Sequence, residues 1–246
     1  SGITSQNWTL LKEAWWEARG PWKQMELLRF GPYVEQPYRL GPKIDFWPVR
    51  ADTVDEKLAS DASLQPEAFS SMGASSRGFP VLEYLLFGPT TLEEMTANPR
   101  RCQYLVGASA DLAANATQMR VAWDPLGENY LETLSKAGKV ESAYPSVDAA
   151  LAELVNRLSH TIQAIRLDKL LAPLGDSITG PQPYRMESPY SHRSIQDIRD
   201  TVLGIERVYF GTADTEGLAA LLPDSFDPTV RRHLDAIEQI LKGLEQ

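Results

Sequence analysis

The sequence predicts an all-α protein built from helical bundles, and three observations carry that prediction. Apolar residues recur three and four apart in five separate stretches, the spacing of one helix face. Cap-and-proline pairs open two of those stretches, where a helix start favours them. No run alternates with period two, and no hairpin turn separates two such runs.

Taken in order, Trp8, Leu11, Trp15, Ala18, Trp22 and Met25 mark the first helix. Their spacing passes through Gly20-Pro21, where a kink or break is expected because proline lacks an N–H and crowds the preceding turn. Next comes "RGFPVLEYLLFG", Arg77 to Gly88, a short helix apolar on every side and therefore buried. The cleanest seam is Cys102, Leu105, Ser109, Leu112, Ala116, Met119 and Trp123, capped by Asn98, opened by Pro99 and ended by Asp124-Pro125. After Pro145-Ser146 the alternation returns at Val147, Leu151, Leu154, Leu158, Ile162 and Ile165. It recurs at Ile195, Ile198, Val202, Ile205 and Tyr209, and finally at Val230, Leu234, Ile237, Leu241 and Leu244, after Asp227-Pro228.

Proline-containing connectors lie at Gly31 to Pro48, Ser60 to Ser76 and Pro173 to Pro189. The third suits a long crossover or a boundary between bundles. The expected division is an N-terminal bundle in residues 1–172, with any first helices of the second. Residues 173–246 then hold the crossover and the remaining C-terminal helices.

Composition narrows the function classes. A net charge of -9 and a pI near 4.9 argue against binding a phosphate backbone, which needs clustered Lys and Arg. No run of about 18 apolar residues is present to span a membrane as a helix. The single Cys102 excludes an intrachain disulfide and any Cys-x-x-Cys zinc cluster, and fits either the cytosol or a disulfide-free periplasmic protein. The chain begins Ser1-Gly2 without Met, a start compatible with an export signal having been removed.

Glu83 is the anomaly, because a carboxylate in an apolar helix must be paired, hydrogen-bonded, protonated or metal-bound. Two relatives accompany it. "ELLRFG" from Glu26, "EYLLFG" from Glu83 and "ERVYFG" from Glu206 all read Glu-x-x-x-Phe-Gly. The Gly suits the left-handed residue that ends a helix, whereas a Glu near a helix C-terminus opposes the macrodipole. The three carboxylates either pair with Arg19, Arg29, Arg77, Arg199 or Arg207, or line a polar pocket at the junction of two bundles.

The ordered set "WWEARGPWKQMELLRFGP", "IDFWP", "RGFPVLEYLLFG" and "SPYSHRSIQDIRDTVLGIERVYFG" resembles the imelysin family, from about Trp15 to Gly211. The resemblance implies two four-helix-type bundles related by internal duplication. It also implies export to the periplasm or an outer-membrane lipid anchor, and a role in bacterial iron uptake. One founding member of that family was described as an insulin-cleaving metallopeptidase. A full-length member is usually longer, so this chain is expected to be trimmed or a shorter variant.

The family signature is Gly-x-His-x-x-Glu. Gly78 and Glu83 match it, but Pro80 stands at the histidine. His and Glu at i and i+3 share a helix face and suit one metal, whereas proline offers no lone pair. No His-Glu-x-x-His motif, Gly-x-Ser-x-Gly elbow or phosphate-binding glycine loop is present. His160 and His233 read as surface residues, and His192 in "SPYSHRS" as a helix flank or a site residue. Ser191, His192 and Asp197 are too close in sequence for a productive triad, and Ser191 reads better as an N-cap, with Ser194 competing.

These features predict a non-catalytic exported protein that binds a small ligand, metal or protein partner of an iron-uptake system. The competing reading is a metallopeptidase using Glu83, which Pro80 disfavours. The expected inter-bundle pocket holds Arg19, Glu26, Gly78, Pro80, Glu83, Ser191, His192, Asp197 and Glu206. Glu26 and Glu83 are the candidate ligands for a divalent, ferrous or ferric cation, and Arg19 is the expected neutralising partner.

Overall fold

The computed structural model describes residues 3–175, 178 and 180–244, which fold largely as helix. They form two compact units, Ser1–Trp16 with Leu28–Arg157, and Glu17–Leu27 with Leu158–Gln246. The division after Arg157 lies upstream of the proline-rich connector, whose Asp176, Ser177 and Thr179 fall outside the described residues.

The first unit takes helix α1 (Ser5–Gln24) as far as Trp16, then α2 (Gly41–Ile44), α3 (Ala51–Ala59) and α4 (Phe79–Phe87). It continues through α5 (Leu92–Ala97), α6 (Pro99–Trp123), α7 (Tyr130–Ser135) and the start of α8 (Val147–Ala164). Helix α6 is the centre, packing on α2, α3, α4, α5 and α7. Asn98 caps it as expected, its Oδ1 accepting from the Arg100 N–H at 3.0 Å.

The buried face of α6 differs from the expected seam. Tyr104, Ala108, Asp111, Asn115 and Ala122 join Leu105, Leu112 and Met119 inside, while Ser109 and Ala116 face solvent. Polar residues occupy the inner face because Arg77 pairs there with Asp111, Nε to Oδ2 at 2.8 Å, and Asn115 donates to Asp111 Oδ1 at 3.1 Å. Close approach also rotates the seam: a Cβ at Gly107 would stand 2.3 Å from the Leu64 carbonyl oxygen.

The second unit combines the end of α1 with the end of α8 and a π-helical segment, Ile165–Leu171. Helix α9 (Ala172–Leu174), α10 (Ser194–Phe210), the ribbon β1 (Gly211–Thr212) and β2 (Thr215–Glu216), and α11 (Asp227–Gly243) follow. The ribbon is the one pair of strands among the described residues, with Gly211 opposite Glu216.

Of the kink or break expected at Gly20-Pro21, the break does not occur: α1 runs on through both residues. Pro21 is exposed, and its carbonyl still accepts from the Met25 N–H at 3.3 Å. The bare Gly20 leaves space for Arg193, whose Nη2 lies 3.3 Å from where a Cβ would stand. Ala18 faces solvent, and Arg19 and Lys23 take the inner face.

The three Glu-x-x-x-Phe-Gly segments are not equivalent. Only Gly211 ends a helix in the left-handed region, at φ 84°. Gly88 follows α4 with φ -65°, and Gly31 opens a 3-10 turn well past the end of α1. Among the described residues no helix is long and apolar enough to cross a membrane.

Candidate functional site

In the first unit the motif helix is held by its entry. Gly78 has φ 82°, and a Cβ there would meet the Ile44 carbonyl oxygen at 2.4 Å, so only glycine fits. Pro80 stands in the first turn of α4, where the absent N–H costs no helical bond. The Trp15 indole donates to the Phe79 carbonyl at 3.1 Å, and Tyr84 donates to Asp55 Oδ2 at 2.9 Å. Glu83 is 1% exposed and has an interaction partner, among neighbours that are apolar along the whole helix.

In the second unit the polar groups converge into a buried ion cluster. Arg19 donates from Nε to Asp197 Oδ2 at 3.2 Å and from Nη2 to Glu187 Oε1 at 3.1 Å. Lys23, one turn on, reaches Glu187 at 2.5 Å and Glu26 at 2.6 Å. Lys169 meets Glu26 at 2.5 Å and Glu187 Oε2 at 2.9 Å. Thr201 Oγ1 donates to Glu26 Oε2 at 2.9 Å, and Ser188 Oγ to Asp197 Oδ2 at 2.5 Å. Arg193 bridges Asp197 and Asp200, the latter at 2.7 Å. Four cations therefore face four carboxylates, an arrangement that removes the cost of burying either set alone.

Local structure explains how these side chains meet. Helix α10 puts Asp197, Thr201 and Gly204 on one stripe, and a Cβ at Gly204 would stand 2.1 Å from the Gln24 carbonyl oxygen. The end of α1 can therefore lie close enough for Arg19 and Lys23 to reach the turn before α10. The π segment aims Lys169: the Ala172 N–H bonds back five residues to the Leu167 carbonyl. With α-helical spacing, Lys169 would follow Ile165 on the apolar stripe. The wider turn puts Leu170 beside Ile165 instead and sends Lys169 to the ions.

Burial pushes the Asp197 carboxyl upward, but Arg19, Lys23, Arg193 and the Ser188 hydroxyl outweigh it and hold the group below the usual carboxylate range. In the first unit, burial pushes the Tyr104 phenol up to about 12.

The predicted site residues separate into two sets. Gly78, Pro80 and Glu83 are buried in the first unit; Arg19, Glu26, Ser191 and Asp197 are buried in the second. Arg19 and Asp197 are in contact, and Glu26 joins them through Lys23 and Glu187. Glu206 is exposed, because it lies on α10 away from the Asp197–Thr201–Gly204 stripe, and His192 is exposed in a left-handed turn at φ 55°. Ser191 does not cap α10; the N-cap is Arg193, with no side-chain cap bond.

Sequence reasoning missed Lys23, Lys169, Glu187, Arg193 and Asp200. The available signal was a charged residue on an apolar seam: Lys23 one turn after Arg19, and Lys169 one α-turn after Ile165.

A metal of the kind the motif implies does not fit these residues. Pro80 has no lone pair to give, and Glu26 Oε2 already contacts two lysine ammonium groups and the Thr201 hydroxyl. His160, His192 and His233 are exposed, and among the described residues no three His, Cys, Asp or Glu gather into a ligand set.

Comparison with known proteins agrees with the architecture. Iron-regulated protein A of Synechococcus elongatus is 31% identical over 219 residues, covering 88% of this chain and 56% of that protein. The chain thus spans about half the length of that curated relative. A crystal structure of an imelysin-like protein from Psychrobacter arcticum aligns with a TM-score of 0.76 at 18% identity, over 100% of this chain and 72% of that one. A Parabacteroides distasonis chain provisionally named iron-regulated protein A precursor aligns at 0.72 and 21%, over 96% and 74%. The family described as Imelysin matches residues 1–246, and this chain belongs to it.

Proposed function

We propose that this chain is a non-catalytic imelysin-type binding protein that serves bacterial iron acquisition from the periplasm or the outer membrane. The observation that carries the reading is Pro80. It sits buried in the first turn of α4, one helical turn before the buried Glu83, where the family motif has an imidazole. That exchange keeps the fold of the motif and removes its metal donor, which leaves recognition of a small ligand or protein partner rather than metal-assisted peptide hydrolysis. Iron comes to this proposal from the name of the Synechococcus relative.

Glu83 and the ion cluster around Glu26 and Asp197 are the groups we assign to recognition. The test is complementation of a deletion strain grown under iron chelation. Wild-type protein should restore growth, and Glu83→Gln should not, while both accumulate to equal levels. Equal rescue by Glu83→Gln would remove the glutamate from the function. Rescue that requires no iron limitation at all would remove iron.

A further inference from the structure

Away from Glu83 and the ion cluster, the first unit brings two phenols and a carboxylate together, Tyr130, Tyr144 and Glu35. The Tyr130 hydroxyl donates to Glu35 Oε1 at 3.3 Å, and the same oxygen accepts from the Gly31 N–H at 3.1 Å. Tyr144 comes from the loop between α7 and α8, and a hydrogen bond joins its hydroxyl to that of Tyr130. Three segments distant in sequence thus deliver three oxygens to one place.

The donors are held from behind. Tyr130 opens α7, and its ring stands edge-on to Trp123 with centroids 5.0 Å apart. It also lies over Gly31, where a Cβ would stand 2.4 Å from the ring, so only glycine admits it there. Turning the hydroxyl away from Glu35 would give up that packing. The Gly31 N–H fixes the Glu35 carboxylate in turn.

All three donors are oxygens that can carry negative charge. Burial raises the Tyr130 phenol above its ordinary pKa, and Tyr144 and Glu35 raise it further, because a second negative charge beside them is repelled. Arg157 relieves Tyr144 in part, but it is paired with Glu153 at 2.7 Å. A cation among the three oxygens would remove the repulsion. A six-coordinate ion with bonds of about 2.1 Å sets neighbouring oxygens about 3 Å apart, close to the 3.3 Å between Tyr130 and Glu35. Phenolate is a hard donor, and its proton yields only to a strong Lewis acid. That selects a small trivalent ion over zinc or calcium.

We propose that Tyr130, Tyr144 and Glu35 form a ferric iron site, the two phenols binding as phenolates and Glu35 as a carboxylate. Two protons leave to solvent as the two phenolate–iron bonds form, and water or a small chelator fills the remaining positions. The site uses neither Glu83 nor the ion cluster, so it stands or falls separately from the proposed function.

The test is titration of the 246-residue chain with ferric nitrilotriacetate, read by visible absorption. Iron–phenolate bonds give a charge-transfer band, which should saturate at one iron per chain. Tyr130→Phe and Tyr144→Phe remove only a hydroxyl, and Glu35→Gln only a charge. Each should weaken binding at least about tenfold, a loss that even outer partners of a metal produce, with circular dichroism unchanged. Tyr184→Phe, which removes a phenol 69% exposed in the second unit, should leave the band as it is. Absence of a saturable band overturns the proposal. So does a band that survives Tyr130→Phe/Tyr144→Phe, since the iron would then be adventitious. Equal competition by zinc or calcium overturns it as well, because the trivalent preference would be missing.

Discussion

Arg19 Nε donates to Asp197 Oδ2 at 3.2 Å, joining two side chains 178 positions apart and no more than 1% exposed. The pair stands inside a cluster in which every cation meets more than one carboxylate, so its members act together.

Arg19→Ala leaves Asp197 and Glu187 each short of a buried cation. The expected cost is about 3–5 kcal/mol, as for other buried pairs broken on one side. Glu238→Ala offers the contrast: it breaks the partly exposed contact of Arg199 with Glu238, at 3.1 Å, and should cost under about 1 kcal/mol. Urea unfolding of the two variants should separate them clearly. Equal midpoints would show that the cluster contributes nothing beyond a surface contact.

The depressed Asp197 carboxyl makes the protein acid-sensitive with a definite sign. A group whose folded pKa lies below its unfolded value, about 3.9 for Asp, stabilises the fold above that value. The stabilisation is lost as pH falls from the ordinary Asp range through the folded value. Stability should therefore decline on acidification below about pH 4. Asp197→Asn should be less stable at neutral pH and show a shallower acid decline. An unchanged acid slope in that variant would assign the sensitivity to other carboxylates.

How much of this was legible depends on which forces are local. The helices α6, α8, α10 and α11 follow from apolar spacing and caps, because periodicity and proline are properties of neighbouring residues. Burial of Glu83, Glu26 and Asp197 was likewise readable, since each lies on an apolar or amphipathic helix or at its end. The partners were not. Glu187 comes from a turn with no periodicity, and Lys169 is aimed by a π turn that ordinary helical spacing does not predict. The α6 seam moved because Asp111 and Asn115 count as polar in sequence, whereas Arg77 makes them interior residues. Glu206 shared a motif with Glu26 and Glu83 but not their surroundings.

Gly204 tests whether the cluster needs the close approach of α10 to the end of α1. Ala would put a Cβ 2.1 Å from the Gln24 carbonyl oxygen, which is backbone and cannot swing aside. Helix propensity alone favours Ala over Gly by up to about 1 kcal/mol. The clash should reverse that sign and leave a net loss of about 1–3 kcal/mol, the range for overpacking. A stabilised Gly204→Ala would mean that the helices separate without harm to Arg19 and Lys23.

Pro80 gives the sharpest test of the functional reading, because that reading expects the restored donor of the motif to add metal binding. His at position 80 would stand one turn before Glu83, on the same face of α4, the spacing at which two side chains share one ion. The first turn of a helix asks nothing of the backbone N–H that histidine brings, so the helix should form. Burying an imidazole among apolar neighbours should cost about 1–3 kcal/mol, which metal binding would offset. We expect Pro80→His to gain a cobalt absorption band and a zinc-dependent rise in melting temperature, both lost in Pro80→His/Glu83→Gln. The wild-type chain should show neither. Stoichiometric zinc in the wild type, removed by Glu83→Gln alone, would show that Glu83 holds a metal without the imidazole. The non-catalytic reading would then fail at its first step.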